Sequence, residues 1–446
     1  MNNLKNLFKI CLTVILLQNT IYSKNTDFIT KSTKAVDWTF IIYMEAGNPE
    51  MHYWAQKNLA EMALAKSESK NLNIVTQVHI DTDKAWRYVI RRSMLKPIEN
   101  VALENDCVQN LVNFVQFSVK KYPAKHYCLI LWGEGFGVLD PQPKQNSNNG
   151  FAWDIEPDEP DYVCTGDICP IKNLDFYGYD TRAILFDGNK SYMTNSQFVS
   201  AIKTIKETVL KNKNIDILGT DCCKMGMIEA AYQLKDFANF LIGSQNCELA
   251  DGWNYLDLFS SFKDKEKDKD IESLQVIQTI MTTYESYYKE NTKTNSYTLC
   301  AIDLSQTDTL AKNLNSLIEL GKKLMDNNKE LFKNIIINTR KKCPSMCDAS
   351  YYVDLGSVYA NLYEELNKPE ITALNNEDIN NFKNALLQNQ NSLKSAVVGN
   401  VTGSAVKNFQ GLSIYFPINR IDASYLTCPF AQETAWLKFL NEIIKK

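Results

Sequence analysis

The stretch NIDILGTDCCKMGMIEAAYQL (214–234) decides the fold class. It opens as a continuous apolar run over 214–221 that breaks after Gly219. A segment bearing Met225, Met227 and Ile228 follows, predicting a strand and then a helix over about 224–236. Continuous rather than alternating apolar runs mark strands buried on both faces of a parallel sheet. The same pattern repeats toward the N-terminus, where WTFIIYM (38–44), NIVTQVHI (73–80) and HYCLILW (126–132) alternate with helical stretches at 51–66 and 105–120. RAILFDG (182–188) precedes a helix capped by Thr194 or Asn195, and NFLIGSQ (239–245) follows the opening stretch. Such alternation predicts an α/β fold with a mainly parallel sheet.

Beyond Asp251 the chain turns more helical, with stretches at 268–290, 305–340 and 371–394. Between them lies SYTLCAIDL (296–304), and the last run is SAVKNFQGLSIYFPI (404–418). The predicted division is a first domain over 36–262 and a helical C-terminal subdomain over 263–446, whose strands extend or flank the first sheet. The charge run KDKEKDKD (263–270) reads as a solvated helix start. The long loop 138–181, rich in Pro, Asn, Asp and Gly, has the length of a functional or disordered insertion.

At the N-terminus, Lys5 and Lys9 precede the apolar run Ile10–Leu17, and Ser23 offers a small residue for cleavage. This is the layout of a signal peptide over 1–23, with 24–35 as linker and export to the cell surface, periplasm or medium as destination. An uncleaved anchor is the alternative, although a membrane span needs roughly 20 apolar residues. The 446 residues carry 48 Lys+Arg against 52 Asp+Glu, a net charge of −4, which gives no electrostatic case for binding nucleic acid. With 45% hydrophobic and 22% charged residues, the composition is that of an ordinary globular protein.

Cysteine and histidine counts constrain the chemistry more tightly. There are 12 cysteines and 3 histidines, so a histidine-based mechanism must draw on His52, His79 or His126. Cys164 with Cys169 and Cys343 with Cys347 are disulfide candidates in an oxidising compartment; a four-cysteine zinc site competes, but neither pair has CxxC spacing. Cys128 and Cys300 sit in apolar runs and read as buried thiols.

Ligands of open α/β sheets bind at the carboxyl ends of the strands. One such end is LWGEGFG (131–137), where Gly133, Gly135 and Gly137 let the backbone turn and approach a ligand. A dinucleotide fingerprint is set aside, because Val138 stands at the third glycine and Pro141 and Pro143 follow instead of a helix. The other end holds Cys223, predicted near a helix N-terminus, where amides and the macrodipole would stabilise a thiolate. A buried structural thiol is the alternative for Cys223, and more so for Cys222. Asp221 lies two residues earlier, on the same side if the strand continues, placed to receive a cationic group.

These segments resemble the clostripain family of cysteine endopeptidases, whose fold is similar to the caspases and gingipains. IIYMEAGNPEMHYWAQKNLAEM (41–62) resembles the family's opening strand and helix, and RAILFDG its central strand. ILGTDCCKMGMIEAAYQL (217–234) resembles the nucleophile segment, GSQNCELADGWNY (243–255) the loop after it, and GLSIYFP (411–417) the C-terminal strand. The resemblance implies a caspase-like three-layer αβα sandwich. It implies Cys223 as nucleophile and Asp221 as the acid that accepts an Arg or Lys side chain, beside Gly133 and Gly135 as the substrate-binding positions read from the strand end. It also implies self-cleavage in the long loop, where Lys144 and Lys172 are the processing candidates. A peptide or protein partner is implied, and no cofactor or metal.

The family's histidine lies in a segment of the type LWxHGxGW, which here reads LWGEGFGV, so Glu134 replaces the histidine and Val138 the tryptophan. Imidazole takes the thiol proton, steadies the thiolate as a cation and later protonates the leaving amine. A carboxylate cannot do this; two negative charges about 4 Å apart repel by roughly 4 kcal/mol at an effective dielectric of 20. His126 begins the strand that Glu134 follows and so lies at the opposite edge of the sheet; His52 reads as a surface or capping residue, and His79 is nearer the productive strand ends. The expectation is a pseudopeptidase. The alternatives are an active endopeptidase with another base, such as His79 or water, and a cation held by Glu134, Asp221 and Glu248.

Overall fold

A computed structural model describes residues 35–444 except 48, 66–70, 80–83, 92–93, 141–183, 187–191, 263–269, 291–294, 348, 369–370 and 372–375. The predicted signal peptide and most of the linker lie outside the described residues, as do the greater part of the long loop, Lys144, Lys172 and the Cys164/Cys169 pair. Among the described residues no helix is long and apolar enough to cross a membrane.

Five parallel strands form the centre of a nine-stranded sheet: β1 (Val36–Glu45), β2 (Leu72–His79), β5 (Ala124–Trp132), β8 (Ile215–Asp221) and β9 (Ala238–Gly243), in spatial order β2-β1-β5-β8-β9. Each corresponds to a continuous apolar run of the sequence. Antiparallel strands finish both sides. The hairpin of β3 (Lys84–Arg91) and β4 (Met94–Ala102) continues from β2, and β10 (Thr298–Asp303) and β13 (Val397–Thr402) continue from β9. The sequence reading passed over that hairpin, although it anticipated that strands after 263 would extend or flank the sheet.

Because successive strand residues point to opposite faces, β1 supplies two cores. Ile41 and Tyr43 join Leu129, Leu131 and Leu218 beneath the helices 107–121, 195–204, 228–234 and 307–327. Phe40, Ile42 and Met44 join Ile130, Ile217 and Ile242 against the helices 49–64, 255–260 and 273–290. Helices on both faces of a mostly parallel sheet give the three layers expected. Thr194 caps the helix 195–204 through a reciprocal bond with Gln197. The predicted helix 305–340 is instead two, 307–327 and 329–342. Asn328 breaks it with an extended backbone (φ −158°) and caps the second half by accepting from the Leu331 N–H at 3.1 Å.

A second, three-stranded sheet is built from β11 (Ser345–Met346), β12 (Ala349–Asp354) and β14 (Ser413–Tyr415). Its hairpin corrects the expected Cys343–Cys347 disulfide. Cys347 is bonded to Cys247, 100 residues away, with Cα atoms 6.1 Å apart. Cys343 is a buried thiol, 3.2 Å from the Thr339 carbonyl it donates to within its own helix. Nearness in sequence had suggested the wrong partner.

Candidate active site

The chain order reverses between β1 and β5, and the candidate residues follow the carboxyl ends of β5 and its neighbour β8. Trp132 at the end of β5 is in register with Asp221 at the end of β8, so the segments that follow, 133–137 and 222–227, emerge side by side. The Gly133 N–H donates to the Asp221 carbonyl at 3.2 Å. The next residues form β6 (Glu134–Gly135), which pairs with β7 (Ile184–Phe186).

Gly135 lies flat on the nucleophile turn. A Cβ there would sit 2.5 Å from the Cys223 carbonyl oxygen and 2.9 Å from the Cys222 Cβ. This glycine therefore permits the close approach of two backbones. Gly135→Ala is expected to cost about 1–3 kcal/mol in urea unfolding, the usual penalty of overpacking, and to shift Cys223, slowing its alkylation.

Cys223 is 8% exposed, with its Sγ 4.0 Å from Glu134 Oε2. The expected helix dipole is not at hand. Residues 222–227 form a turn, and the helix begins only at Ile228 and runs seven residues; the dipole acts within the first turn of a helix. A different donor takes its place: the Glu248 N–H points at Sγ from 3.2 Å, while the Glu248 carbonyl lies 3.7 Å away to accept from the thiol. Lys224, also buried, adopts a left-handed backbone (φ 59°) and sets its ammonium 4.7 Å from the centre of the Phe136 ring. Sequence reasoning missed both. Helical periodicity was extended too far back, and a backbone donor from residue 248 has no local signal.

Asp221 is buried beneath the loop that follows β9. Its Oδ2 accepts from the Trp253 N–H at 3.1 Å and the Tyr255 hydroxyl at 2.8 Å, and Oδ1 meets no donor among the described residues. Burial pushes this carboxyl up to about 7, against the pull of those two donors. Glu248, also buried, is raised well above the ordinary range, first by burial and then by the charge of Asp221.

Two of the three histidines are engaged elsewhere. His79 ends β2, three strands from β8 and therefore about 14 Å across the sheet; its Nδ1 is 2.8 Å from Glu45 Oε2 and its Nε2 2.9 Å from the Gln77 amide. His126, at the start of β5, stacks on Trp38 and pairs with Asp216 at the opposite end of the sheet. His52 is half-buried in the helix 49–64. Among the described residues no group of three or more His, Cys, Asp and Glu side chains is arranged to hold a metal, so Glu134, Asp221 and Glu248 do not form the cation site considered from sequence.

Solved structures that share this fold include three C11 proteases. Two are a secreted C11 cysteine protease from Bacteroides thetaiotaomicron: one in complex with an irreversible peptide inhibitor (TM-score 0.57, 16% identity, 91% of this chain and 99% of that one), the other described as iotapain (TM-score 0.58, 14% identity, 91% and 99%). The third is an inactive zymogen C11 protease from Parabacteroides distasonis (TM-score 0.55, 18% identity, 90% and 99%). No match was found among curated protein sequences. The model of the clostripain family matches residues 42–169 and 166–442, nearly the whole described fold, and this chain belongs to that family.

Proposed function

We propose that the chain is an exported clostripain-type peptidase homologue that keeps the nucleophile position, Cys223, and the acid Asp221, but has no general base, and that it binds peptides or proteins around Arg or Lys residues without cleaving them efficiently. The observation that carries this reading is the carboxyl of Glu134 standing 4.0 Å from the thiol, with His79 paired to Glu45 and His126 to Asp216. Peptide cleavage by a cysteine needs a proton taken from sulfur and one returned to the leaving amine. An ionised Glu134 opposes the thiolate, and a protonated one cannot be the base. In this reading Gly133, Gly135 and Asp221 border the peptide cleft, and Lys144 and Lys172 are the loop positions open to processing. The secreted relatives, one holding a peptide inhibitor, support export and a peptide ligand.

One observation favours a second reading, a slow but working endopeptidase. The Glu248 N–H already donates to Sγ, which supports a thiolate without imidazole. Residues 24–446, incubated with Arg and Lys reporter peptides beside a Cys223→Ala control, separate the two. The expected result is no cleavage above the control, with the peptides still bound. Cleavage that disappears in Cys223→Ala would establish the second reading.

A further inference from the structure

Three consecutive residues surround the thiol, and the middle one is covalently tied to a distant hairpin. The Asn246 carbonyl accepts from the Lys224 N–H at 2.9 Å, fixing the residue next to Cys223. The Glu248 N–H reaches Sγ itself. Between them Cys247 is bonded to Cys347, in the turn between β11 and β12. The Cys347 N–H also donates to Asn246 Oδ1 at 2.7 Å. The same hairpin holds the other wall of the site: the Tyr352 hydroxyl donates to the Phe136 carbonyl at 2.9 Å and receives the Leu139 N–H at 3.2 Å. It thus braces both the segment that bears Glu134 and the loop that bears Glu248.

We propose that the Cys247–Cys347 disulfide is a positioning element for the Cys223 thiol, and that its reduction lowers the reactivity of that thiol. Two molecules of a low-molecular-weight thiol, or one dithiol, supply two electrons and two protons and become a disulfide as Cys247 and Cys347 become thiols. Released from the hairpin, the 246–248 loop no longer holds its N–H against Sγ. A reductant then has two opposed effects on this protein: it keeps Cys223 reduced, and it loosens the support beneath it. The inference rests on Cys223 being the reactive thiol of the proposed site, and not on peptide cleavage.

The test is iodoacetamide alkylation of Cys223, followed by peptide mass spectrometry from pH 5 to 10, in the unaltered chain and in Cys247→Ser/Cys347→Ser. The expected result is an alkylation rate at pH 7 about tenfold lower in the double variant, with the midpoint displaced upward by about one pH unit, as losing one hydrogen bond to a charged group would give. A merely structural link would lower the melting temperature and leave the alkylation profile at 25 °C unmoved. Should the double variant not fold, the unaltered chain is compared before and after native-state reduction by a phosphine, with circular dichroism following the fold. An unchanged or faster rate in both comparisons overturns the positioning role while leaving Cys223 as a reactive thiol. No alkylation of Cys223 in any form overturns both this inference and the nucleophile assignment.

Discussion

Cleavage after Arg or Lys is expected to rise about 10²- to 10⁴-fold when Glu134 is replaced by histidine, the usual contribution of a positioned general acid and base. The backbone that would carry the imidazole is already placed. Gly133 is bonded to the Asp221 carbonyl, Gly135 rests on the nucleophile turn, and position 134 pairs with Phe186 across β7. The side chain there ends 4.0 Å from Sγ, within reach of the contact a dyad needs. The replacement exchanges a like charge beside the thiolate for a cation, and adds a group that protonates the leaving amine. The measurement is kcat/KM on Arg and Lys reporters for E134H, E134Q and E134H/C223A. E134H should show a bell-shaped pH profile with one limb near 6.5, the ordinary imidazole value. E134Q removes only the repulsion and should speed alkylation of Cys223 with little cleavage. An inactive but folded E134H, or an E134Q that cleaves equally well, would sink the lost-base account.

Asp221→Asn is expected to stabilise the fold by about 3 kcal/mol near pH 8 and to remove the preference for basic peptides together. The folded carboxyl sits at about 7, above the ordinary 3.8, because it is buried. Between about pH 4 and 7 the folded chain therefore holds a proton that the unfolded chain has released. Stability falls as pH rises through this window and levels off above it. Three pH units amount to about 4 kcal/mol at most. Asparagine keeps an oxygen for the Trp253 N–H and the Tyr255 hydroxyl, and brings an amide where Oδ1 has no donor. Urea midpoints at pH 5 and pH 8 should differ less in the variant than in the unaltered chain. Some slope remains, because Glu248 is raised with Asp221, and burial pushes Glu229, beneath Tyr415 and Tyr425, to about 7 as well. An equal pH slope in both chains would show that Asp221 is not the group responsible.

The central sheet was legible because its strands are buried on both faces, and burial writes a continuous apolar run into the sequence. The hairpin 84–102 escaped because β4 is largely exposed and carries Lys96, Pro97 and Glu99, so that no such run marks it. The nucleophile turn and the LWGEGFG segment were located from glycines and strand ends, and the two do emerge together. What escaped there was non-local. Trp253 and Tyr255 hold Asp221 across 32 and 34 residues, Cys347 reaches Cys247 across 100, and Tyr352 reaches Phe136 across 216. Composition and periodicity describe a residue's immediate neighbours along the chain. Closing a site draws on partners brought together only by the complete sheet.

The antiparallel borders of the sheet also carry features that oppose edge-to-edge pairing. An outer strand with a free row of amides and carbonyls invites a further strand from another chain. On one side β4 meets that hazard with Pro97, which lacks an N–H, beside exposed Lys96 and opposite a bulge between Arg87 and Tyr88. On the other, β13 is six residues long, is irregularly registered against β10, and has Asn400 donating its side-chain amide to the Phe409 carbonyl. Among the described residues, neither border presents a long uninterrupted row of amides and carbonyls to template a further strand.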